Sequence, residues 1–409
     1  MPIVSSVGAK ELSRTIASFV LIGVISWIHV LPPQVDPRQT INISRYGALA
    51  GVLKVIKPDQ INRIVVRSPS WVGDAVMSLP ALHELRRIFP KAHITVASRT
   101  GTAGVFIESN SVDDVLIQDR ASFLSTFGQV SEWKRRQFDL AVILQNAFAA
   151  AATAFLARVP LRIGYGTERR SPLLTTTLPL PAWKDKRHES FYYLNIVAEL
   201  ERMFFGSDSI VKTDPVFDLP VSEKRKNSAR RIVIDQRASP SKPLAILCPG
   251  SVNSRAKRWP AERYAELADK LIDAGIDVAL IGSPAEIDVS LEVCGFAKHQ
   301  PMVLTGKTSV AEVVALISIA DLLVTNDTGP AHIGAALEIP TLVIFGPTNP
   351  LTTHPLSSKA EIIRHPPDCA PCMLRDCPID HRCMTAISVE EVFQRAMAIM
   401  EKTSAQVFG

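Results

Sequence analysis

The chain has 409 residues, of which 47% are hydrophobic and 21% charged, with a formal net charge of +5. That length suits about two domains, and the composition excludes a disordered chain. The charge is too mild for a dedicated nucleic-acid binder, but it is compatible with an anionic substrate or an anionic membrane surface.

Residues 1–60 read as an N-terminal extension. Residues 15–35 hold no Asp, Glu, Lys or Arg, and 16–31 are nearly all apolar. That run is slightly short for a membrane-spanning helix, which needs about 20 residues. Lys10 and Arg14 precede it, as in a signal peptide, but no small-x-small cleavage site follows. A membrane anchor, an interfacial helix and a start codon set too far upstream all fit better than cleaved export. Residues 36–59 lack periodicity and read as a linker.

A first domain is expected over 61–220. Residues 63–67 form a short buried strand, and 68–74 a polar, glycine-containing turn. A helical run follows, with Val76, Leu79, Leu82, Leu85 and Phe89 three or four residues apart. Pro80 starts or kinks it, and Pro90 ends it. Further strands are expected at 93–97, 112–118, 139–144 and 162–166, then a loop over 167–186 and a helix over 188–204. Residues 221–242 read as an exposed charged helix and a linker.

The second domain, 243–409, restarts the pattern with strands at 244–248, 277–281, 302–305, 322–325 and 341–345. A helix starts at Ala261, and a last helix at 389–400 is expected to pack back across the domain junction. The alternation argues for α/β architecture: two doubly wound, Rossmann-like domains facing a cleft. Ligands gather at the C-terminal strand ends of such sheets, which singles out loops 68–74, 249–260 and 326–332.

Residues 322–332 run from a strand into a helix start. Asn326, Asp327 and Thr328 are N-cap types, and Pro330 suits a first helical turn. Gly329 allows close backbone approach. Such a start can hold a phosphate, with Asp327 and His332 beside it, or it can be simply a capped helix. Loop 249–260 offers Ser251, Ser254, Arg255, Lys257 and Arg258, which suits a phosphate or a solvated surface equally. Asp74 can deprotonate a hydroxyl or cap a helix. The sequence contains neither a P-loop nor the dinucleotide fingerprint expected after the first strand.

These motifs resemble the ADP-heptose:lipopolysaccharide heptosyltransferases of glycosyltransferase family 9, most closely the heptosyltransferase II branch. The resemblance is carried by Ser68-Pro-Ser-Trp-Val-Gly-Asp-Ala-Val-Met-Ser78 and Cys248-Pro-Gly-Ser251, then Ala256-Lys-Arg-Trp-Pro260 and Arg263-Tyr-Ala-Glu-Leu-Ala268. Val324-Thr-Asn-Asp-Thr-Gly-Pro-Ala-His332 and Phe345-Gly-Pro-Thr348 complete it. It begins near Ile61 and leaves the first 60 residues outside. Pro330 and Ala331 depart from the Leu or Met forms of this loop but keep Asp327 and His332 in register.

The resemblance implies a GT-B glycosyltransferase that binds its acceptor on the first domain and an ADP-sugar on the second. It implies inverting transfer of L-glycero-D-manno-heptose to a lipid A–core acceptor. Asp74 would be the general base and Lys257 the cation on the departing diphosphate. Ser70, Ser251, Thr328, Gly329, Asp327 and His332 would lie around the donor. Glu286 could reach the adenosine ribose, although an exposed helix-start role fits it better. No cofactor is required on this reading, since a lysine and a helix N-terminus can replace a metal and no Asp-x-Asp motif lies near the nucleotide loops. An ADP-activated donor places the enzyme on the cytoplasmic face of the inner membrane.

Four of the six cysteines cluster: Cys369, Cys372, Cys377 and Cys383, with His381 among them. The spacing suits structural zinc or an iron–sulfur centre, or else free thiols or disulfides. The segment is expected to pin the end of the second domain. Two other functions stay open on the residues: a non-catalytic nucleotide-sugar or lipid-binding protein, and a metal-dependent nucleic-acid protein. A transferase using another nucleotide-sugar is a third alternative. Aromatics at 6% speak against the nucleic-acid reading.

Overall fold

The computed structural model describes residues 57–119, 123–234 and 241–408. The apolar stretch 15–35 and the linker up to residue 56 lie outside the described residues. Among those described, no helix is long and apolar enough to cross a membrane.

The first half runs β1 (Arg63–Arg67), α1 (Val72–Met77), α2 (Leu79–Ile88), β2 (His93–Ser98), α3 (Thr100–Ala103), β3 (Asp114–Ile117), α4 (Phe123–Arg136) and β4 (Leu140–Ile143). It continues with α5 (Phe148–Leu156), β5 (Leu161–Tyr165), β6 (Thr176–Leu178) and α6 (Glu189–Phe205). A connecting helix, α7 (Glu223–Ile234), leads to the second half. There follow β7 (Leu244–Cys248), α8 (Ala261–Asp273), β8 (Asp277–Leu280), α9 (Ile287–Phe296), β9 (Met302–Val303), α10 (Val310–Ile317) and β10 (Leu322–Asn326). The chain closes with α11 (Gly329–Ala336), β11 (Thr341–Ile344), α12 (Pro350–Thr353), β12 (Ala360–Ile363), α13 (Arg382–Thr385) and α14 (Val389–Phe408).

Both sheets have six parallel strands, ordered β3-β2-β1-β4-β5-β6 and β12-β11-β10-β7-β8-β9. Read from β9, the second order repeats the first. Each sheet therefore reverses direction between its first and fourth strands, β1/β4 and β7/β10, and opens a crevice at their C-terminal ends. The strands are short runs of buried aliphatic residues, such as Ile64, Val65 and Val66 in β1 and Leu244–Cys248 in β7. Helices cover both faces, so no strand needs a polar side.

The expected strands all form, with ends shifted by one or two residues. Two edge strands escaped the sequence pattern. Loop 167–186 contains β6, three residues too few to show alternation, and β12 follows a Ser- and Pro-rich turn. The helical run after residue 74 divides at Ser78, and Pro80 sits in the first turn of α2, where its missing N–H costs nothing.

Two expectations about surfaces need correction. The charged helix α7 is not merely solvated. Ala229 and Val233 are buried against α10, and Arg225 bonds Glu108 of the first half at 3.0 Å and the Ala311 carbonyl of the second. The last helix, α14, packs on α8, β10 and β11 rather than across the junction. Val392, Ala396 and Ile399 belong to the core under the second sheet because they form its apolar stripe. On the side of α7 and α10 the apolar packing is continuous, from Ile64 and Val66 in one sheet to Leu244 and Ile246 in the other.

Candidate active site between the two sheets

The crevice of the second sheet brings loop 249–260 and the α11 start together, because β7 and β10 are neighbours. Asn326 ends β10 fully buried and clamps the two loops. Its amide donates to the carbonyls of Pro249 (2.9 Å) and Gly250 (3.2 Å), and its carbonyl accepts from the Trp259 backbone (3.1 Å) and the Tyr264 hydroxyl (3.2 Å). Sequence reasoning took Asn326 for a cap. Its true role depends on partners more than sixty residues away.

Asp327 is also buried. Its carboxylate accepts from Lys257 Nζ at 3.0 Å and from the Thr348 hydroxyl at 2.6 Å, and Lys257 donates to its backbone carbonyl too, at 3.0 Å. Lys257 keeps a quarter of its side chain exposed. Thr328 caps the α11 start from an extended backbone, with its hydroxyl donating to the Asn326 carbonyl at 3.3 Å. His332, one turn into α11, is buried. Burial, then the nearby charges of Lys257 and His354, push its imidazole down to about 3, so it is neutral at physiological pH.

Across the junction α1 packs directly on α11. A Cβ on Gly329 would stand 2.8 Å from Val72 Cβ, and one on Gly73 would stand 3.0 Å from His332. Only glycines allow this approach. Asp74 lies one residue beyond this seam, half-buried, and its Oδ1 accepts from the Tyr193 hydroxyl at 3.0 Å. Burial raises its carboxyl above the usual range, and the Tyr193 bond and the charges of Lys184 and Lys257 oppose that rise. The general-base candidate and the lysine of the second sheet thus share one electrostatic environment. Lys184 is held by Glu189 (2.9 Å) and lies over the Tyr192 ring (4.1 Å). Tyr193 and Lys184 carried no local sequence signal, since one looks like any apolar helix residue and the other like a loop lysine.

The remaining candidates are placed less directly. Ser70 turns toward the first sheet, accepting from Gln145 Nε2 at 2.6 Å. Ser251 is buried, and its carbonyl accepts from Arg258 at 2.9 Å. Glu286 is buried, not an exposed helix-start residue: it accepts from the Ser283 backbone (2.7 Å) and hydroxyl (2.8 Å), directly beside Gly250. Arg255 pairs with Asp376 at 2.6 Å, both side chains largely exposed.

The cysteine segment does pin the second half, and it supports the lysine loop as well. The Ser254 hydroxyl and Ala256 N–H bond to the Leu374 and Arg375 carbonyls, and His381 Nε2 donates to the Ala256 carbonyl at 2.6 Å. Cys383 is buried. Its thiol is pushed up to about 11 by burial and by the neighbouring Cys372, Cys377 and Cys369. Four thiols are a suitable donor set for zinc. Yet among the described residues no three His, Cys, Asp or Glu side chains are arranged to hold one ion.

Comparison with known proteins agrees with this fold. The family model for glycosyltransferase family 9 (heptosyltransferase) matches residues 130–382. Lipooligosaccharide heptosyltransferase 2 of Haemophilus ducreyi is 31% identical over 319 residues, covering 74% of this chain and 88% of the relative. Lipopolysaccharide heptosyltransferase 2 of Escherichia coli K12 is 30% identical over 314 residues with the same coverage. The solved structure of E. coli ADP-heptose lps heptosyltransferase II superposes with a TM-score of 0.73 at 27% identity, covering 84% of this chain and 99% of that one. The two parallel sheets are those of a GT-B enzyme, and the chain belongs to glycosyltransferase family 9, the heptosyltransferases.

Proposed function

We propose that this enzyme transfers L-glycero-D-manno-heptose from ADP-heptose to the inner core of lipopolysaccharide, with inversion at the anomeric carbon. The observation that carries the reading is the confrontation of Asp74 with the Lys257–Asp327 pair across the Gly73–Gly329 seam. The relatives' names support the donor and acceptor classes.

In this reading the first half, 61–220, binds the acceptor and the second, 243–409, binds the donor. Asp74 takes the proton of the acceptor hydroxyl as its oxygen attacks the anomeric carbon. A carboxyl lifted by burial is a better base than an exposed one, provided it remains ionised. The Tyr193 hydroxyl and the lysine charges favour that form. The diphosphate leaves on the opposite face, toward Lys257 and the N–H groups that open α11. Asp327 holds the lysine head in place. Thr328, Gly329 and the neutral His332 line that end, and Ser251 and Glu286 lie nearer the nucleoside. Ser70 acts through the loop of the base.

On the same reading the acceptor lipid is presented at the cytoplasmic face of the inner membrane. A structural zinc or iron–sulfur centre on Cys369, Cys372, Cys377 and Cys383 would brace the Lys257 loop and take no part in transfer. Elemental analysis tests it: about one zinc, or the iron of one cluster, per chain upholds the centre, and no metal removes it. The transfer itself is tested by incubation with a panel of nucleotide-sugars and truncated lipid A–core acceptors, read by mass spectrometry. Addition of one heptose from ADP-heptose alone is expected, and a product from another donor overturns the sugar assignment.

A further inference from the structure

Helix α5 is packed the wrong way round for a surface helix. Its sequence from 148 to 156 is Phe-Ala-Ala-Ala-Ala-Thr-Ala-Phe-Leu, with no charged residue. Ala150, Ala151 and Ala154 are buried in the core under the first sheet, with Thr153 beside them. The large side chains point outward instead: Phe148 is 48% exposed, Phe155 45% and Leu156 54%. With the half-buried Ala152 they fall on one side of the helix. A surface helix ordinarily buries its large apolar residues and shows polar ones to water. A single exposed leucine needs no explanation, but an unbroken apolar face marks contact with a partner or a membrane.

The charge around this face is largely of one sign. Residues 148–170 carry four arginines, Arg158, Arg162, Arg169 and Arg170, against one carboxylate, Glu168. Arg170 is buried, while Arg158 and Arg169 are exposed. At the tail of α5 the Arg162 guanidinium lies 5.4 Å from the centre of the Phe155 ring. An open hollow of about 530 Å³ beside it is lined by Phe155, Leu156, Arg158 and Arg162, among others, and by no carboxylate. At the head of α5, Arg170 Nη2 and the Thr167 hydroxyl donate to Asn146 Oδ1 at 2.9 and 3.3 Å. Those bonds bring the loop that carries Arg169 beside the start of the helix. The apolar face thus has cations at both ends.

We propose that the outer face of α5 docks on the surface of an anionic bilayer. Phe148, Phe155 and Leu156 enter the boundary between headgroups and acyl chains, and Arg158, Arg162 and Arg169 meet lipid phosphates at the two ends. Charge selects this occupant over a second copy of the chain, because a two-fold contact through the same face sets the arginines of one copy against those of the other. The helix starts just past the C-terminal end of β4, so its head lies at the crevice of the first sheet. Docked this way, the chain holds that crevice at the bilayer surface. That a lipid-linked acceptor enters there rests on the reading of the first half as the acceptor-binding one.

The test is cosedimentation of the full chain with vesicles of phosphatidylcholine, with and without phosphatidylglycerol, in the absence of donor and acceptor. The chain is expected to bind the anionic vesicles more tightly. Arg158→Gln with Arg169→Gln should weaken that binding on the order of ten-fold or more, at about five-fold per arginine. Phe155→Ser with Leu156→Ser should weaken it as well, and both side chains stand at the surface, so the fold is expected to survive. Phe155→Trp places an indole in the contact, and brominated lipid is expected to quench the fluorescence this variant adds to that of the unaltered chain. That local reading separates α5 from the apolar run 15–35. Undiminished binding of either double variant, or no quenching of the added indole, overturns the proposal. So does a concentration-dependent dimer that Phe155→Ser with Leu156→Ser dissolves, since it assigns the face to a second copy. Vesicle binding needs no donor, acceptor or turnover, so it stands or falls apart from the heptose reading.

Discussion

Asp74 shows how one residue carries two opposed influences. Burial raises its carboxyl, and Tyr193 with two lysines pulls it back. Asp74→Asn should lower kcat by roughly 10²–10⁴-fold while ADP-heptose still binds; near-normal turnover would show that another group is the base. Tyr193→Phe removes a bond that favours the ionised form. The Asp74 pKa then rises further, so the acidic limb of the kcat/KM profile should move to higher pH, with activity retained on the alkaline side. An unmoved limb would separate Tyr193 from the base. Lys257→Ala should weaken ADP binding about ten-fold or more and lower turnover too, because in the proposed reaction the cation acts on both bound and departing diphosphate. Calorimetry showing unchanged ADP affinity would rule that out.

At the scale of elements, the helix pair α1 and α11 decides how the two halves meet. Gly329→Ala forces a methyl within 2.8 Å of Val72 Cβ. Overpacking of this kind costs about 1–3 kcal/mol, read here as a fall in kcat/KM of about ten-fold. Adding Val72→Gly in the same chain, which removes that Cβ, should restore much of it; failure of that rescue would mean the glycine serves another purpose. The motif containing Gly73 and the motif containing Gly329 are both visible in the sequence. Their contact is not, because it joins residues some 250 positions apart through two separate sheets. The cysteine segment is similar: its spacing could be read directly, but its support of residues 254–256 could not.

For the whole molecule, the junction is both polar and pH-sensitive. Arg225 ties Glu108 of one half to Ala311 of the other, and Arg225→Ala should cost about 1–3 kcal/mol in urea unfolding. A stability unchanged within 0.5 kcal/mol, about the ordinary effect of a surface substitution, would show α7 to be a passive linker. His188 and His332 are both buried near this junction, and burial first of all pushes both down to about 3. The unfolded chain binds protons on them from about pH 6.5 downward, while the folded chain resists. Stability should therefore fall as pH drops from about 6.5 toward 3, each histidine steepening the slope by up to roughly 1.4 kcal/mol per pH unit. Replacing both with Gln should flatten the urea-midpoint profile over that window.

The sequence by itself determined the α/β class, nearly all of the strands and the loops at which ligands gather. Buried strands and capped helices write their periods and end residues locally, and residues such as Asp74, Lys257 and Asp327 stand in short contiguous motifs. Tertiary structure alone decided that Asn326 clamps two loops, that Tyr193 and Lys184 bear on Asp74 and that Glu286 is buried. Those facts depend on strand order and on the approach of distant helices. Hydrogen bonding, burial and charge act through space, and the space between these residues exists only once both sheets have formed.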